Sequence, residues 1–547
     1  MKERDGPGMK KTLVAGAAAV VLVTGIAAMV RIATAAEPKA ATSAKAVSAP
    51  TQVDYTPPPI TWRECFNDTI SSFEAQCGWL VVPLDYSKPT GTKIQIAVSR
   101  VSRLKGVPYQ GVMLTQTGDP GEPGQGLATS GYDGYDGIGF DPRGVGESEP
   151  SLICNGRYFG YDRPAYVPST AKLESAWLKK AKGYSAACAK AKGAALLDHV
   201  KTIDTAYDMD SLRKALGVSQ INYYGSSYGT YLGQVYSTLF PTRVRRMVLD
   251  GVVDPTRVWY AADLDRDAAL DRNLNVFFAW IAKKNKIYHV GTTESAVERL
   301  YYSTQAKLDE KPAGGKIGGD ELHDIFLGAL GSMSWEAVAR DYANYIHKGD
   351  WKTLVEEYDF YAHRGVLEPP GDNWFAMYLA TRCTDVQWPR SWAEWKADMN
   401  ATYQKAPFAT WSSAWYNAPC RTWAGKAGTP VKVDGAAAPA ILLISETKDT
   451  DTPYSRALKL RSRYPQEAVN DPDTTYSGAL KVRSLYPKSV LVEYPAEWVS
   501  SDVTSCAERT IETYLATGRL PARVAGNTSD LQCPPSPQPK PKPRVSG

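Results

Sequence analysis

The sequence predicts an α/β protein in which a mainly parallel sheet carries helices on both faces and is interrupted by an inserted helical segment. Short apolar runs typical of strands alternate with helical patterns on both sides of the middle of the chain. The run Gly225-Ser-Ser-Tyr-Gly229 lies where a strand pattern changes into a helix pattern. Residues 254–436 are mostly helical in pattern, and a strand pattern resumes after them at Ala440.

Four strand patterns precede the central turn, and they are Cys77–Tyr86, Lys93–Val101, Gly111–Thr115 and Asp136–Phe140. Each of them alternates or clusters apolar residues, as strands of a sheet do. The third pattern runs into a Gly/Pro-rich loop at residues 116–124. The fourth runs into residues 141–148, whose glycines and polar groups are suited to fixing a loop.

The central turn has the pattern G-x-S-x-G, formed by Gly225, Ser227 and Gly229. Residues 202–217 before it form an amphipathic helix pattern that ends in glycine. A tight turn strains the backbone of Ser227, and side chains at 225 or 229 would collide with neighbouring backbone. The helix that follows directs its N-terminus at the turn, which places the N–H of Tyr228 to stabilise a negative oxygen. An ordinary turn between strand and helix is the alternative.

The elements around this turn follow the order helix, strand, turn, helix, strand. A helix pattern over Thr230–Phe240 ends before Pro241, and Val244–Leu249 is a strand pattern that runs into Asp250. This order is typical of the α/β-hydrolase fold, in which the serine of the turn is the nucleophile. The sequence therefore predicts a nucleophile elbow at Ser227.

The segment 254–436 is dense in tryptophan and is predicted to form a helical cap. Packing between helices is the simplest role for most of these tryptophans, but together they could line an apolar cleft above the elbow. The sheet resumes at Ala440–Ile444 and ends at Ser489–Tyr494, and Cys506–Ala516 is the last helix pattern.

An internal repeat lies between the last two strand patterns. Residues 449–465 (DTDTPYSRALKLRSRYP) recur as residues 471–487 (DPDTTYSGALKVRSLYP). Two copies are too few for a repeat architecture, so the pattern indicates local duplication of one turn-helix unit.

The N-terminus has the features of a targeting segment. Lys10 and Lys11 precede an apolar run over Leu13–Val30, and Ala33-Thr-Ala35 offers a small-residue cleavage site. An uncleaved membrane anchor is the alternative. Either segment places the bulk of the chain outside the cytoplasm, secreted or in the cell envelope.

The chain has eight cysteines, and an even number in an exported protein predicts disulfides. The simplest connectivity joins neighbours in the sequence: Cys65–Cys77, Cys154–Cys188, Cys383–Cys420 and Cys506–Cys533. No C-x-x-C spacing of a metal site occurs. We therefore expect neither a metal nor a cofactor.

The length of 547 residues exceeds one ordinary core and predicts two domains or one domain with a large insertion. The formal net charge of +5 is small for this length, and the basic residues are dispersed among acidic ones. This distribution excludes a nucleic-acid-binding surface. We expect a monomer whose partner is a peptide or small acyl substrate, with no membrane contact beyond an N-terminal anchor.

Five longer runs make the pattern far more specific than the elbow alone, and they are CGWLVVPLDY, IGFDPRGVGES, INYYGSSYGTYLGQVYSTLFPTRVRRMVLDGVVDP, KAPFATWSSAWYNAPC and YLATGRLPA. Through them residues 60–533 resemble secreted bacterial tripeptidyl aminopeptidases and their proline-iminopeptidase-like relatives among the α/β hydrolases. The resemblance implies an exopeptidase that releases short peptides from free N-termini by acyl transfer through serine. It also implies that the cap restricts the cleft to chain ends.

The predicted organisation has six parts. They are a signal peptide or anchor (1–35), a flexible leader (36–59), the first part of the α/β-hydrolase core (60–253), the helical cap (254–436), the second part of the core (437–533) and a disordered Pro/Lys-rich tail (534–547).

The resemblance also assigns site residues one by one. Ser227 takes the position of the nucleophile, and Asp449, after the strand pattern AILLI, takes that of the acid that orients a histidine. Asp471 is the duplicate of Asp449 in the repeat, and Asp451 and Asp473 are nearby rivals.

The oxyanion loop of such enzymes is a run like N-P-G-G-P-G, and here residues 116–121 are QTGDPG. Gly118 and Asp119 therefore join the N–H of Tyr228 in the predicted oxyanion hole. Asp119 replaces a glycine, and its carboxylate would oppose the developing charge unless it points away or is protonated.

Trp498 falls where these relatives carry a histidine after the final strand. The chain has five histidines, and the last of them is His363. A serine without an adjacent base is a poor nucleophile, and loss of one triad member removes several orders of magnitude of rate. We therefore expect very weak hydrolysis, unless a cap histidine or Glu497 acts as the base. A member that binds peptides without efficient turnover, and a protein with only a structural or envelope-binding role, are the alternatives.

A free peptide amine needs a negative partner. Asp385 matches an acidic position near a cap cysteine in the same relatives, and Glu356, Glu357 and Asp359 are rivals. For each of these carboxylates a solvated surface position is the alternative.

Overall fold

The computed structural model describes residues 55–65, 68–116, 118–130, 132–161, 163–332, 335–361, 371–446, 476–494 and 506–534. The predicted targeting segment, most of the leader, the first copy of the repeat and most of the tail lie outside these ranges.

Ten strands of the described residues form one sheet. They are β1 Arg63–Glu64, β2 Gln76–Pro83, β3 Lys93–Val101, β4 Gly111–Gln116, β5 Tyr135–Phe140, β6 Ile221–Ser226, β7 Val244–Asp250, β8 Leu442–Glu446, β9 Val490–Tyr494 and β10 Leu531–Gln532. Their order in the sheet is β1-β2-β3-β5-β4-β6-β7-β8-β9-β10. The pairs β1/β2, β2/β3 and β3/β5 are antiparallel, and the remaining pairs are parallel. The predicted mainly parallel sheet is confirmed, and the predicted strands agree with it to within a few residues.

The helices fall before, between and after these strands. They are α1 Asp68–Ser71, α2 Ala171–Cys188, α3 Thr202–Ala215, α4 Tyr228–Leu239, α5 Tyr260–Lys283, α6 Asn285–Tyr288, α7 Glu294–Glu310, α8 Gly319–Ser332, α9 Trp335–Lys348, α10 Lys352–Tyr361, α11 Asn373–Asp385, α12 Trp392–Tyr403, α13 Thr410–Asn417, α14 Tyr476–Leu485 and α15 Cys506–Thr517.

Alternate side chains of the sheet enter two apolar layers. Leu442 and Ile444 of β8 pack in the layer that α15 completes, whereas Leu443 belongs to the larger core that contains α3 and α4. Burial on both faces explains why β8 is a continuous apolar run rather than an alternating one. Helices therefore cover both faces, as the sequence predicts.

The helices between β7 and β8 divide between two cores. Side chains of α5, α7, α8, α9 and α10, such as Phe277, Phe326 and Trp335, form a core of their own. Side chains of α11, α12 and α13, such as Phe375 and Trp415, belong to the same core as the sheet layer of α3 and α4. The helical character of this segment is as expected, while the boundaries of the cap at 254 and 436 stay a prediction.

All four predicted disulfides are present: Cys65–Cys77, Cys154–Cys188, Cys383–Cys420 and Cys506–Cys533. The third bridge ties α11 to the short 3₁₀ turn that follows α13. Within the described ranges, no helix combines the length and the apolar content needed to cross a membrane.

Candidate active site

Ser227 stands at the sharp turn between β6 and α4. Its backbone has φ +52° and ψ −125°, a region that residues other than glycine avoid. The N–H of Ser227 donates to the carbonyl oxygen of Asp250 at 3.2 Å, and the N–H of Thr230 donates to the carbonyl of Ser227 at 2.8 Å. These bonds hold the strained turn between β7 and α4. Ser227 is partly exposed, whereas Tyr228 beside it is buried.

The first glycine of G-x-S-x-G is required by close contact across the turn. A Cβ atom at Gly225 would lie 2.5 Å from the carbonyl oxygen of Gly229 and 2.7 Å from the ring of Tyr223. The hydroxyl of Tyr223 donates to that same carbonyl oxygen at 2.7 Å. The strand and the helix therefore meet too closely for any side chain at position 225, as the sequence pattern predicts.

The predicted oxyanion loop begins beside the elbow. In the pairing of β4 with β6, Gln116 lies opposite Gly225, so the chain leaves β4 next to Ser227. Gly118 has φ +71°, and a Cβ atom there would lie 1.9 Å from Oε2 of Glu122. Asp119 is half-buried, and its carbonyl oxygen accepts from the N–H of Glu122 at 3.0 Å. Gly118 and Asp119 thus lie in a tight turn at this edge of the sheet.

Helix α11 supports the predicted oxyanion loop from the other side. A Cβ atom at Gly121 would lie 2.0 Å from the carbonyl oxygen of Trp374 and 2.9 Å from the N atom of Tyr378. The loop backbone therefore lies directly against the first turns of α11. Asn373 at the start of α11 donates to the carbonyl oxygens of Gly144 and Leu152, both at 2.8 Å.

Asp141 is a supporting residue that the sequence reasoning missed. Its carboxylate, only 1% exposed, accepts hydrogen bonds from Gly124 N at 2.8 Å, Gln125 N at 3.0 Å and Glu147 N at 2.9 Å. Burial raises the pKa of Asp141, and these hydrogen bonds oppose the rise. The signal was present in the turn that follows β5, since Asp141 opens the polar run DPRGVGES.

Asp385, the predicted amine anchor, is buried at the end of α11 with 5% exposure. Its carboxylate accepts from Thr202 N and Thr202 Oγ1, both at 2.6 Å, and from Trp259 Nε1 at 3.0 Å. Burial raises the pKa of Asp385 to about 6. The solvated alternative for Asp385 is therefore wrong, because the side chain is enclosed and already holds three donors.

These contacts connect Asp385 to the residue beside the nucleophile. The hydroxyls of Thr202 and Tyr228 lie 3.0 Å apart. The ring of Trp259 packs against that of Tyr228, with 6.0 Å between the ring centroids. The guanidinium of Arg382 lies over the other side of this site, 4.7 Å from the centroid of Trp259. Sequence reasoning missed Thr202 and Trp259, since neither belongs to a motif.

The rivals of Asp385 lie on α10. Glu356 and Asp359 are exposed, and Asp359 accepts a hydrogen bond from the hydroxyl of Tyr161 at 2.8 Å. The pKa of Glu357 is raised to about 7, mainly by burial and secondly by a hydrogen bond with Asp341. The solvated interpretation thus holds for Glu356 and Asp359.

Two assigned positions, Asp449 and Trp498, lie outside the described residues, as do Glu497 and the aspartates that rival Asp449. Of the histidines that are described, His323 is 3% exposed, and its Nε2 lies 2.9 Å from Ser412 Oγ. Burial lowers the pKa of His323 to about 4. Nε2 of His347 lies 3.0 Å from the carbonyl oxygen of Tyr288. Both rings are therefore engaged by other residues of the segment between β7 and β8.

No cluster of three or more histidine, cysteine, aspartate or glutamate side chains suited to a metal ion occurs in the described part of the chain. The arrangement around Ser227 is suited to acyl transfer chemistry. It combines a serine on a strained turn, a helix N-terminus and a loop of backbone N–H groups at one sheet edge.

Comparison with protein families gives two matches. Residues 124–360 match the family described as the alpha/beta hydrolase fold. Residues 406–470 and 466–533 match, as two segments, the family described as TAP-like protein.

Comparison with individual proteins points the same way. The chain is similar to a tripeptidyl aminopeptidase of Streptomyces lividans, with 34% identity over 494 residues that cover 87% of each chain. A tripeptidyl aminopeptidase of Streptomyces coelicolor is 33% identical, with 87% of this chain and 86% of that protein covered. Serine protease Hip1 of Mycobacterium tuberculosis is 28% identical, with 74% and 82% covered.

Proposed function

Because the chain belongs to the tripeptidyl aminopeptidase family of α/β hydrolases, we propose that it is an exopeptidase that releases short peptides from free N-termini through Ser227. The observation that carries this proposal is the backbone of Ser227, strained at φ +52° between β6 and the N-terminus of α4. Such a turn presents the serine hydroxyl to a substrate and places the N–H of Tyr228 toward the oxygen that becomes negative. Gly118 and Asp119 would supply the opposite side of the oxyanion hole.

The test is hydrolysis of tripeptide p-nitroanilides by the wild-type protein and by two serine variants. With a substitute base such as Glu497 activating the serine, Ser227→Ala should lower the rate by about 10³-fold or more, because the nucleophile is lost. Ser226→Ala is the matched control, since it removes the neighbouring hydroxyl of the same turn. Equal losses in both variants would show that the turn, and not the Ser227 hydroxyl, is what matters.

Recognition of the free amine is assigned to Asp385 in this proposal. A peptide amine would have to join or replace the donors from Thr202 and Trp259 that already contact the carboxylate. Asp385→Asn should then weaken binding of free N-terminal peptides by about 1–3 kcal/mol, the range for a charged hydrogen bond. Acetylated peptides should bind equally well to both proteins. Equal weakening for both kinds of peptide would show that Asp385 only supports the fold.

A second candidate function is peptide binding without efficient turnover. It is favoured by Trp498 at the histidine position of the relatives and by the engagement of His323 and His347 in the cap. Isothermal titration with tripeptides would then detect binding, while p-nitroanilide hydrolysis would stay near the rate of Ser227→Ala. Robust turnover that disappears in Ser227→Ala would exclude this second function and would require a substitute base.

We place the protein outside the cytoplasm and expect it to act as a monomer. The four disulfides support this location, since such bonds persist in oxidising compartments. Loss of secretion after deletion of residues 1–35 would test the predicted targeting segment, and light scattering would test the monomer.

A further inference from the structure

We propose that one surface of the α/β core is a docking seat for either copy of the internal repeat, and that the two copies compete for it. The seat, called the repeat seat here, is the surface that holds the second copy. It is formed by Gln234, Ser237, Gly435, Val524, Gly526 and Asp530.

Tyr486, at the end of the second copy, is the first specific contact in the repeat seat. It is 1% exposed, and its hydroxyl lies 2.8 Å from Ser237 Oγ and 3.2 Å from the carbonyl oxygen of Gln234 on α4. Its ring lies so close to Gly435 that a Cβ atom there would be 2.1 Å from Cδ1. The seat is therefore shaped for an aromatic ring with a polar tip.

Arg483 is the second specific contact. Its guanidinium forms a paired contact with Asp530, with Nε to Oδ2 at 2.8 Å and Nη2 to Oδ1 at 2.6 Å. It also donates to the carbonyl oxygens of Gly526 at 2.8 Å and Val524 at 2.6 Å. This planar, bidentate recognition requires arginine, and lysine could not replace it.

The first copy carries the same set of side chains in the same order. Residues 449–465 lie outside the described residues. Each position lies 22 residues before its counterpart in the second copy. In the second copy Ala479, Val482, Arg483 and Tyr486 are buried, and the hydroxyl of Tyr476 accepts from Ser529 N at 3.1 Å. The counterparts of Tyr476, Ala479, Val482, Arg483 and Tyr486 in the first copy are Tyr454, Ala457, Leu460, Arg461 and Tyr464. Four of the five pairs are identical, and valine to leucine is the fifth.

One difference explains why the second copy occupies the seat. Gly478 is buried in α14, and its counterpart is Arg456. An arginine at that position would have to bury or redirect a guanidinium, which is costly without a partner. The first copy is therefore the weaker competitor, although it carries the same tyrosine and arginine.

The connection between β8 and β9 allows the exchange. Both copies lie between Glu446, the last residue of β8, and Val490, the first of β9. At present the first copy precedes the seated helix in the chain. If the first copy occupied the seat, the residues of the second copy would follow the seated helix instead, and the order of the strands would not change. Loop length adds little to the free energy of such an exchange. Each of the two TAP-like segments contains one copy, 406–470 the first and 466–533 the second.

The test uses one substitution in matched positions of the two copies. Ala479 is 0% exposed in α14, so Ala479→Arg should expel the second copy from the seat. Ala457→Arg is the same change in the first copy. Hydrogen exchange with mass spectrometry would follow the amides of 454–464 and 476–486, and thermal unfolding would be recorded for both variants and for the double variant.

We expect Ala457→Arg to leave exchange over 476–486 and the melting temperature unchanged. In Ala479→Arg, protection over 476–486 should fall and protection over 454–464 should rise, with only a small loss of melting temperature. The melting temperature of the double variant should fall by far more than the sum of the decreases in the two single variants. If the double variant does not fold, the transfer of protection in Ala479→Arg decides alone.

Two results would overturn the proposal. Unchanged exchange over 454–464 in Ala479→Arg would show that the first copy cannot enter the seat. If Ala479→Arg keeps its melting temperature only at high protein concentration, the copy in the seat comes from a second chain and not from the same one.

The paired change Arg456→Gly with Gly478→Arg should reverse the preference and protect the first copy. Because no readout involves hydrolysis, failure here is distinguishable from failure of the proposed exopeptidase activity.

Discussion

Replacing Asp385 by asparagine offers a measurable effect of pH on stability. Asp385 is a buried carboxyl whose pKa is raised by burial to about 6 from its ordinary value of 3.8. Its three hydrogen bonds from Thr202 and Trp259 favour the charged form but do not cancel the effect of burial. The carboxyl therefore binds its proton more tightly in the folded protein than in the unfolded chain.

This difference sets the sign and size of the effect. Between pH 3.8 and 6 the folded state holds more protons on Asp385 than the unfolded state does, so stability rises as pH falls through 6. Above this window both states are ionised, and the contribution of Asp385 no longer changes with pH. Lowering the pH from about 7.5 to about 5 should add roughly 1 kcal/mol to the free energy of unfolding.

The amide in Asp385→Asn does not titrate and keeps one acceptor. That oxygen can still accept from Thr202 N, but the NH₂ group would face the N–H of Trp259, so at least one hydrogen bond is lost. The loss costs about 1–3 kcal/mol, and removal of a buried charge offsets part of it at neutral pH only. The difference in the free energy of unfolding between wild type and Asp385→Asn should therefore be larger at pH 5 than at pH 7.5, by roughly 1 kcal/mol.

Denaturant unfolding with the disulfides intact, followed by tryptophan fluorescence at both pH values, measures this gap. Asp359→Asn is the control, because it removes an exposed carboxylate of α10 and should leave the pH dependence of wild type. A gap of the same size at both pH values would show that Asp385 does not titrate in this window. A gap that shrinks at pH 5 would reverse the sign and refute the reasoning from burial.

Two further predictions concern the elbow and the position of Trp498. Gly225→Ala should lower stability by about 1–3 kcal/mol and reduce labelling of Ser227 by a fluorophosphonate, because the new Cβ atom would lie 2.5 Å from a backbone oxygen of α4. Gly183→Ala, in open space on α2, is its control, and it should raise stability slightly because alanine favours a helix, while labelling of Ser227 stays unchanged. Trp498→His combined with Asp119→Gly should raise p-nitroanilide hydrolysis by at least about 10²-fold, with the gain abolished by Ser227→Ala. No gain would mean that more of the catalytic site than these two positions has been lost.

Local patterns in the sequence were enough to predict the strands, the elbow and the disulfides. G-x-S-x-G predicted the strained serine because the contact between Gly225 and Gly229 spans only four residues. Apolar runs predicted the parallel strands, since burial on both faces leaves a signal within each strand. The cysteine pairs were predicted because neighbours in the sequence are joined in each case.

Contacts between distant parts of the chain were decided only by the tertiary structure. The carboxylate of Asp385 binds Thr202 across 183 positions, and nothing near either residue in the sequence indicates the other. The same holds for the contact of Gly121 with α11, which places a helix of the predicted cap against the predicted oxyanion loop. The sequence determines which segments are strand, helix and turn, because those preferences are local. Packing determines which polar groups are buried together, because it depends on how all the segments meet.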